Sequence, residues 1–263
     1  KSMISRVGDL CLIAAFSGIY MIYGVQDFGH IFEVAQIKGN LLSNNTWIGW
    51  LVIFGAILKS AQFPFHTWLP DTMGAPTPVS ALMHAGIING GGYLVVRLSP
   101  VLVHTLGALH MLAIVGALTA VYASMVMLSQ TSVKRALAYS TIAQMGFMLL
   151  QCGLGAFHLA VLHLVAHSLY KGHAFLSCGS AVETAKKLNA KPHYAQLKPS
   201  RIWLAIGISL AIVLGLSIPF NLSPSDKPGM LVLSMVLVMA LTQLLWTATV
   251  SYTHLRAHET SID

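Results

Sequence analysis

Long apolar runs, each about as long as a bilayer is thick, dominate the chain and limit the folds open to it. Hydrophobic residues make up 56% of the 263 residues and charged residues only 9%. About 20 apolar residues span a bilayer as a helix, which satisfies its own backbone hydrogen bonds in lipid. No strand alternation of the membrane-barrel kind is evident. The sequence predicts one all-α integral membrane domain over residues 1–250, a polytopic helical bundle. Its eight predicted segments are Val7–Val25, Trp47–Phe65, Thr77–Val96, Thr105–Leu128, Ala136–Gly153, Phe157–Ser180, Ile202–Phe220 and Gly229–Val250.

The net charge of +7 lies mainly in the predicted loops, where it indicates orientation in the membrane rather than nucleic-acid binding. Nine lysines and arginines fall on the side where the first segment begins, and three fall on the opposite side. The positive-inside rule makes the first side cytoplasmic, so we expect a multi-pass protein of the cell inner (plasma) membrane. The basic stretch Glu183–Arg201 is then a cytoplasmic loop. It is read as a topology determinant, with lipid or partner binding as the alternative.

The second predicted segment is interrupted near its end. A charge, two polar groups and a proline fall within six residues, Lys59–Pro64. Proline removes a backbone donor and clashes with the preceding turn, so we expect a broken helix there. A lysine at a helix centre costs about 2.5–3.5 kcal/mol on insertion scales, which favours a functional role for Lys59. All acidic residues are placed in loops, at helix ends or in the tail, so Lys59 is expected to have no carboxylate partner within this chain at clear mid-membrane depth.

The sixth predicted segment carries a regular series of proton-exchangeable groups. His163, His167 and Lys171 are spaced i, i+4, i+8, which places them on one helix face at steps of about 6 Å. Histidine titrates near neutral pH, and water molecules can bridge such steps. Together with Lys59 and His84, these residues predict a proton pathway through the bundle. The alternative is a set of buried structural hydrogen-bonding groups.

Motifs for other chemistry are weak or missing. His163 and His167 have the spacing of a zinc-protease helix, but Leu164 stands where the glutamate belongs and no third ligand is evident. Phosphate-binding and dinucleotide-binding glycine motifs are missing from the sequence, and three scattered cysteines predict neither disulfides nor a thiolate metal site. We therefore expect the protein to bind no cofactor and no metal and to have no catalytic site of its own.

Both ends of the sequence are unusual. The chain begins at Lys1 rather than Met and is expected to be an internal piece of a longer protein. The polar stretch Ser251–Asp263 follows abruptly on an apolar segment and resembles a translated adapter sequence, so it is interpreted as a non-native tail. An ordinary polar terminus is the alternative.

Three stretches resemble antiporter-like membrane subunits, which include the large proton-pumping subunits of respiratory complex I and the Mrp cation/proton antiporters. They are KSAQFPFHTWLPDTMGAPTPVSALMHAGIINGGGYLVVR (Lys59–Arg97), QTSVKRALAYSTIAQMGFM (Gln130–Met148) and HLVAHSLYKGHAFL (His163–Leu176), and RVGDL (Arg6–Leu10) also fits. Within the family, Ala75–Gly92 and Ala143–Phe157 most resemble the DabB branch, the membrane subunits of inorganic carbon transport systems.

The resemblance implies a proton-translocating subunit that energises CO2/bicarbonate uptake by a DabA-like, zinc-containing partner in a hetero-complex embedded in membrane lipid. It assigns Lys59 to the family's broken-helix lysine, His84 to the neighbouring histidine, and His163, His167 and Lys171 to the central axis. The family's glutamate would lie before Lys1. No intramembrane lysine follows Phe220, which puts a second half-channel in doubt. A pumping subunit of NADH:quinone oxidoreductase, an Mrp-type antiporter and a membrane scaffold remain alternatives.

Overall fold

The computed structural model describes residues 2–24, 27–37, 45–188, 199–217, 229, 231–243 and 245, and all its regular elements there are helices. The chain divides into two compact units, residues 1–188 and 189–263. In the first unit the α-helices are α1 (Ser2–Tyr23), α2 (Phe28–Ile37), α3 (Trp47–Lys59), α4 (Thr77–Ala85), α5 (Gly90–Arg97), α6 (Ser99–Leu102), α7 (Leu106–Leu128), α8 (Val133–Gly153) and α9 (Phe157–Leu188). Short 3-10 helices occupy Phe65–Trp68, Pro70–Gly74 and Ile87–Asn89. The second unit contains α10 (Pro199–Ser217) and α11 (Leu231–Gln243).

The predicted all-α membrane architecture is confirmed. Three described helices are long and apolar enough to cross a bilayer by length and composition, namely Met3–Tyr23, Thr77–Arg97 and Leu106–Leu128. Shorter apolar helices cover Trp47–Lys59, Ile202–Gly215 and Leu231–Gln243. Helices α8 and α9 have 21 and 32 residues, also long enough to span, but they contain more polar side chains. Many large apolar side chains on α1, α7 and α9 face outward, as expected for helices bathed in lipid.

Several predicted boundaries need correction. The second predicted segment, Trp47–Phe65, ends as a helix at Lys59, and the third, Thr77–Val96, is divided at Gly86 into α4 and α5. Helix α2 was not predicted, because its ten residues are too few to span a bilayer. Helix α9 continues to Leu188, so the first residues of the predicted basic loop are helical. Residues 189–198 of that loop and the predicted tail Ser251–Asp263 lie outside the described residues.

Helices α7 and α8 approach each other closely along a row of glycines. A Cβ atom on Gly116 would lie 2.6 Å from the carbonyl oxygen of Gly146, and one on Gly146 would lie 2.7 Å from the backbone nitrogen of Ala120. Small residues at such crossings let two backbones pack against each other in a membrane. This contact fixes α8, which in turn supports the polar groups of α9.

The close contact between α7 and α8 leads to a prediction about stability. Gly146→Val should push α7 and α8 apart, because the new side chain meets backbone atoms that cannot move aside, at a cost of about 3 kcal/mol. We expect much less folded protein in the membrane and a lower midpoint of thermal unfolding in detergent. Gly207→Val is the matched control, because Gly207 also lies within a helix but a Cβ there has open space. Equal stability of the two variants would contradict the packing described for Gly146.

Candidate functional site: a buried histidine and lysine cluster

The first helix break follows Lys59 directly, as predicted. Helix α3 ends there, and Ala61 adopts a left-handed backbone conformation with φ of 49°. The side-chain amide of Gln62 donates to the carbonyl oxygen of Ser60 at 2.8 Å. The backbone amide of Phe63 donates to Oγ1 of Thr119 on α7 at 3.1 Å. Side chains thus replace the backbone partners that the interruption removes, which keeps this non-helical segment stable inside the bundle.

Lys59 has a carboxylate partner within this chain that the sequence analysis did not predict. Its Nζ lies 2.5 Å from Oδ1 of Asp9 and 3.4 Å from Oγ of Ser5, both on α1. Asp9 is the eighth residue of α1 and therefore lies inside the helix rather than in a loop. The two side chains are 32% and 51% exposed, so the pair lies at the border of the bundle rather than in its centre.

Small residues bring the two helices of this ion pair together. A Cβ on Gly8 would lie 3.3 Å from Cβ of Leu58, and one on Gly55 would lie 2.7 Å from Cγ of Leu12. Since Gly8 and Leu58 each immediately precede a member of the pair, the glycine contact sets the distance between Asp9 and Lys59. The signal was present in the sequence, because Asp9 already fell within the predicted segment Val7–Val25.

A second break interrupts the next membrane segment. Helix α4 ends at Ala85, a 3-10 turn covers Ile87–Asn89, and α5 starts at Gly90. A Cβ on Gly91 would lie 2.5 Å from the carbonyl oxygen of Ala56, so α5 packs directly on α3. The glycine at position 91 thus permits a close approach of the two helices. The break at Gly86 was not predicted. His84 occupies the last turn before this break.

The central part of α9 brings three proton-exchangeable groups to one face. Lys171 is fully buried, His167 is 4% exposed and His163 is half-buried. The ring centroids of His163 and His167 are 6.2 Å apart. Nδ1 of His163 lies 3.1 Å from Oε1 of Gln151 on α8. The spacing i, i+4, i+8 thus produces the shared inward face.

His84 joins this face from the neighbouring helix. Its fully buried ring stacks on Phe175 of α9, with a centroid distance of 4.4 Å and an interplanar angle of 21°. Phe175 lies one further helical turn beyond Lys171 on the same face of α9. Nζ of Lys171 donates to the carbonyl oxygen of Leu137 on α8 at 3.2 Å. Four of the five predicted pathway residues, His84, His163, His167 and Lys171, therefore converge between α4, α8 and α9.

The buried imidazoles of His84 and His167 have ring nitrogens available for exchangeable hydrogen-bond partners. Among the residues that the structure describes, neither ring nitrogen of His84 or of His167 has a hydrogen-bond partner. Buried polar atoms without a protein partner are usually satisfied by ordered water. The arrangement suits water-bridged proton transfer between neighbouring rings and the Lys171 amine. Within the same described residues, no three His, Cys, Asp or Glu side chains converge as a metal site.

The sequence pattern and this geometry agree with a family of known proteins. The family model described as "NADH:quinone oxidoreductase/Mrp antiporter, TM" matches residues 2–254. The chain belongs to this family. As a member of the NADH:quinone oxidoreductase/Mrp antiporter family with an all-helical fold, it is a multi-pass membrane protein.

Individual relatives come from several branches of the antiporter family. The chain is 47% identical over 221 residues to the probable inorganic carbon transporter subunit DabB1 of Halothiobacillus neapolitanus, covering 79% of this chain and 40% of that protein. It is 41% identical over 180 residues to NADH-ubiquinone oxidoreductase chain 5 of Cryptococcus neoformans, covering 68% and 27%. A chain of the solved Mrp complex from Dietzia sp. matches with a TM-score of 0.61 and 30% identity, covering 80% and 23%. The chain thus spans less than half the length of these relatives.

Other polar residues of this antiporter-family chain were missed by the sequence reasoning. His66 is 4% exposed and packs edge-on against Tyr122 of α7, with ring centroids 5.1 Å apart, and its Nδ1 has no partner among the described residues. Gln62 is fully buried beside the first break. Asn89, in the second break, bonds to Ser168 of α9. These residues lie close in sequence to the prolines and glycines that interrupt the helices. The pathway was predicted from the alignment of charged groups on a helix, and that criterion does not select them.

Proposed function

We propose that the protein containing this chain is a proton-translocating membrane subunit that energises inorganic carbon uptake by a partner subunit. The observation that carries the proposal is the buried cluster of His84, His167 and Lys171, with His163 extending it along α9. Proton-exchangeable groups are costly to bury in a membrane protein and are characteristic of ion pathways. Histidines that serve only as structural hydrogen-bonding groups would be expected to have partners for their ring nitrogens. Within the described part of the chain, the ring nitrogens of His84 and His167 have none.

The proposal assigns proton transfer to one charged centre and gating to another. The cluster on α9 carries the proton, because His163, His167 and Lys171 are spaced for stepwise transfer through bridging water. The Lys59–Asp9 pair lies on α1 and α3 and acts as a gate. When the pair closes, Asp9 neutralises the Lys59 charge, and when the pair opens, the lysine charge repels protons at the border of the bundle. Transfer in this scheme needs no cofactor.

The partner is inferred from the similarity of this chain to inorganic carbon transporter subunits. We propose a hetero-complex with a DabA-like, zinc-containing subunit in the cell inner membrane, with the basic stretch 183–201 on the cytoplasmic side. Proton entry through this subunit would drive the partner to hydrate CO2 in one direction and so trap bicarbonate inside. The 47% identity to a DabB1 subunit supports this assignment over the other branches.

Two alternative functions each have an observation in their favour. The 41% identity to NADH-ubiquinone oxidoreductase chain 5 supports a proton-pumping subunit of a quinone-reducing complex, and the structural similarity to the Mrp complex supports a cation/proton antiporter. All three functions use the same buried cluster. They differ in the reaction or transport step that the partner couples to proton movement, so the identity of the partner distinguishes them.

The test uses a bacterial strain that grows only at elevated CO2. Expression of the intact gene with its partner gene should restore growth in air, and a protonophore should prevent bicarbonate accumulation. The control is the same pair carrying His173→Ala, which alters an exposed histidine of α9 and should restore growth equally well. Restoration of NADH-linked quinone reduction, with no effect on carbon uptake, would transfer the assignment to a subunit of a quinone-reducing complex.

A further inference from the structure

Asn89 ties the interrupted membrane segment to the helix that carries the cluster. Its side-chain amide nitrogen donates to Oγ of Ser168 on α9 at 2.8 Å and to the carbonyl oxygen of Ala85 at 2.7 Å. Ser168 in turn donates to the carbonyl oxygen of Leu164 at 2.8 Å. Ala85 directly follows His84, and Ser168 directly follows His167. One buried amide group therefore links the residues that directly follow His84 and His167.

The same short segment is also tied to the first helix break. Oγ of Ser60, which follows Lys59, donates to the carbonyl oxygen of Ile88 at 3.2 Å. Ser60 is fully buried and Asn89 is 5% exposed, so both links are shielded from solvent. The 3-10 turn Ile87–Asn89 is thus held on one side by the residue after Lys59 and on the other by the residue after His167.

We infer that Asn89 is a positioning residue that couples the Lys59–Asp9 gate to the histidine cluster, through Ser60 on one side and Ser168 on the other. This inference rests on the proposed function and adds how its two charged centres communicate. A displacement of Lys59 moves Ser60, which pulls on the turn through Ile88. Because Asn89 transmits that movement to Ala85 and Ser168, it changes the relative position of His84 and His167.

The interrupted backbone makes this coupling physically reasonable. A continuous helix would resist such movement along its whole length, whereas a 3-10 turn between two α-helices has weaker hydrogen bonds and often marks a hinge. Oδ1 of Asn89 is buried without a partner among the described residues, so the amide is also free to accept a hydrogen bond when the turn shifts. These properties distinguish Asn89 from a residue that only fills space.

The test measures proton entry into proteoliposomes that contain the full-length protein with its partner subunit. Asn89→Leu keeps the size of the side chain and removes its polar atoms, and Ser168→Ala removes the hydroxyl on α9 that accepts from Asn89. Each should lower proton flux roughly 3- to 10-fold, about the rate equivalent of one buried hydrogen bond. The double variant should be no slower than the slower single variant, because both remove the same link. Ser209→Ala is the matched control, since Ser209 also donates to the carbonyl four residues earlier at 2.8 Å.

A spectroscopic readout separates positioning from general destabilisation. In protein labelled with nitrogen-15 at histidine, Ser168→Ala should shift the ring signals of His84 and His167 and leave those of the exposed His173 unchanged. If Asn89→Leu does not fold, Ser168→Ala alone decides both readouts. Unchanged flux and unchanged histidine signals in Ser168→Ala, with flux abolished in Lys171→Ala, would overturn the coupling and keep the proposed function. Undiminished flux in Lys171→Ala would overturn both.

Discussion

Lys171→Ala is expected to abolish proton entry into proteoliposomes containing the full-length protein and its partner. Lys171 is fully buried, and His167 lies one helical turn before it on the same face of α9. Removing the amine interrupts the line of exchangeable groups, and a positioned proton-transfer group contributes about 100- to 10,000-fold to a rate. We therefore expect a loss of at least about 100-fold, measured with a pH-sensitive dye inside the vesicles.

Two companion variants sharpen this prediction. Lys171→Arg keeps the positive charge but cannot release a proton near neutral pH, so it should be as inactive as the alanine variant. His173→Ala should retain full flux, because His173 is exposed on the other side of the same helix. Near-normal flux in Lys171→Arg would mean that the charge alone matters and that Lys171 does not carry the proton.

Breaking the ion pair between α1 and α3 is expected to produce the second large effect. Asp9→Asn and Lys59→Ala each remove one partner of the pair, which leaves the other charge without its counterpart. Under the gating proposal, either change should lower proton flux about 5- to 150-fold, the range of typical coupling free energies. Membrane insertion and abundance should stay normal, because both side chains are partly exposed.

A charge swap tests the pairing itself. The double variant Asp9→Lys with Lys59→Asp restores opposite charges across the same helix contact and should recover part of the flux. Glu33→Gln is the control, since Glu33 is an exposed carboxylate on α2. Additive losses in the swapped protein would show that the two residues act separately, and the gate would then have to be assigned elsewhere.

Hydropathy predicted the spanning helices well where nothing interrupts them. The predicted segment Thr105–Leu128 is α7 to within one residue, because the whole stretch is apolar and turn residues bound it. The break after Lys59 was also predictable, since a charge and a proline cannot continue a helix in lipid at low cost. The break at Gly86 was not, because its signal consists of glycines and Asn89, which also suit close helix packing.

The candidate site was also predictable only in part, because some of its features follow from local sequence and others from the packing of separate helices. The shared face of His163, His167 and Lys171 follows from helical periodicity alone. The stacking of His84 on Phe175 and the Lys59–Asp9 pair depend on how separate helices pack, which local spacing does not specify. Asn89 and Ser168 are 79 residues apart in sequence, and neither is charged, so nothing in the local pattern marked them as partners.

Simultaneous measurement of proton entry and bicarbonate accumulation tests the central claim most directly. Inverted or right-side-out vesicles from cells expressing the full-length protein and its partner would be given a proton gradient in the direction that drives uptake. The account predicts that bicarbonate accumulates only while protons enter, that a protonophore stops accumulation, and that Lys171→Ala stops both. Bicarbonate accumulation that continues without proton entry, or in the Lys171→Ala protein, would contradict it.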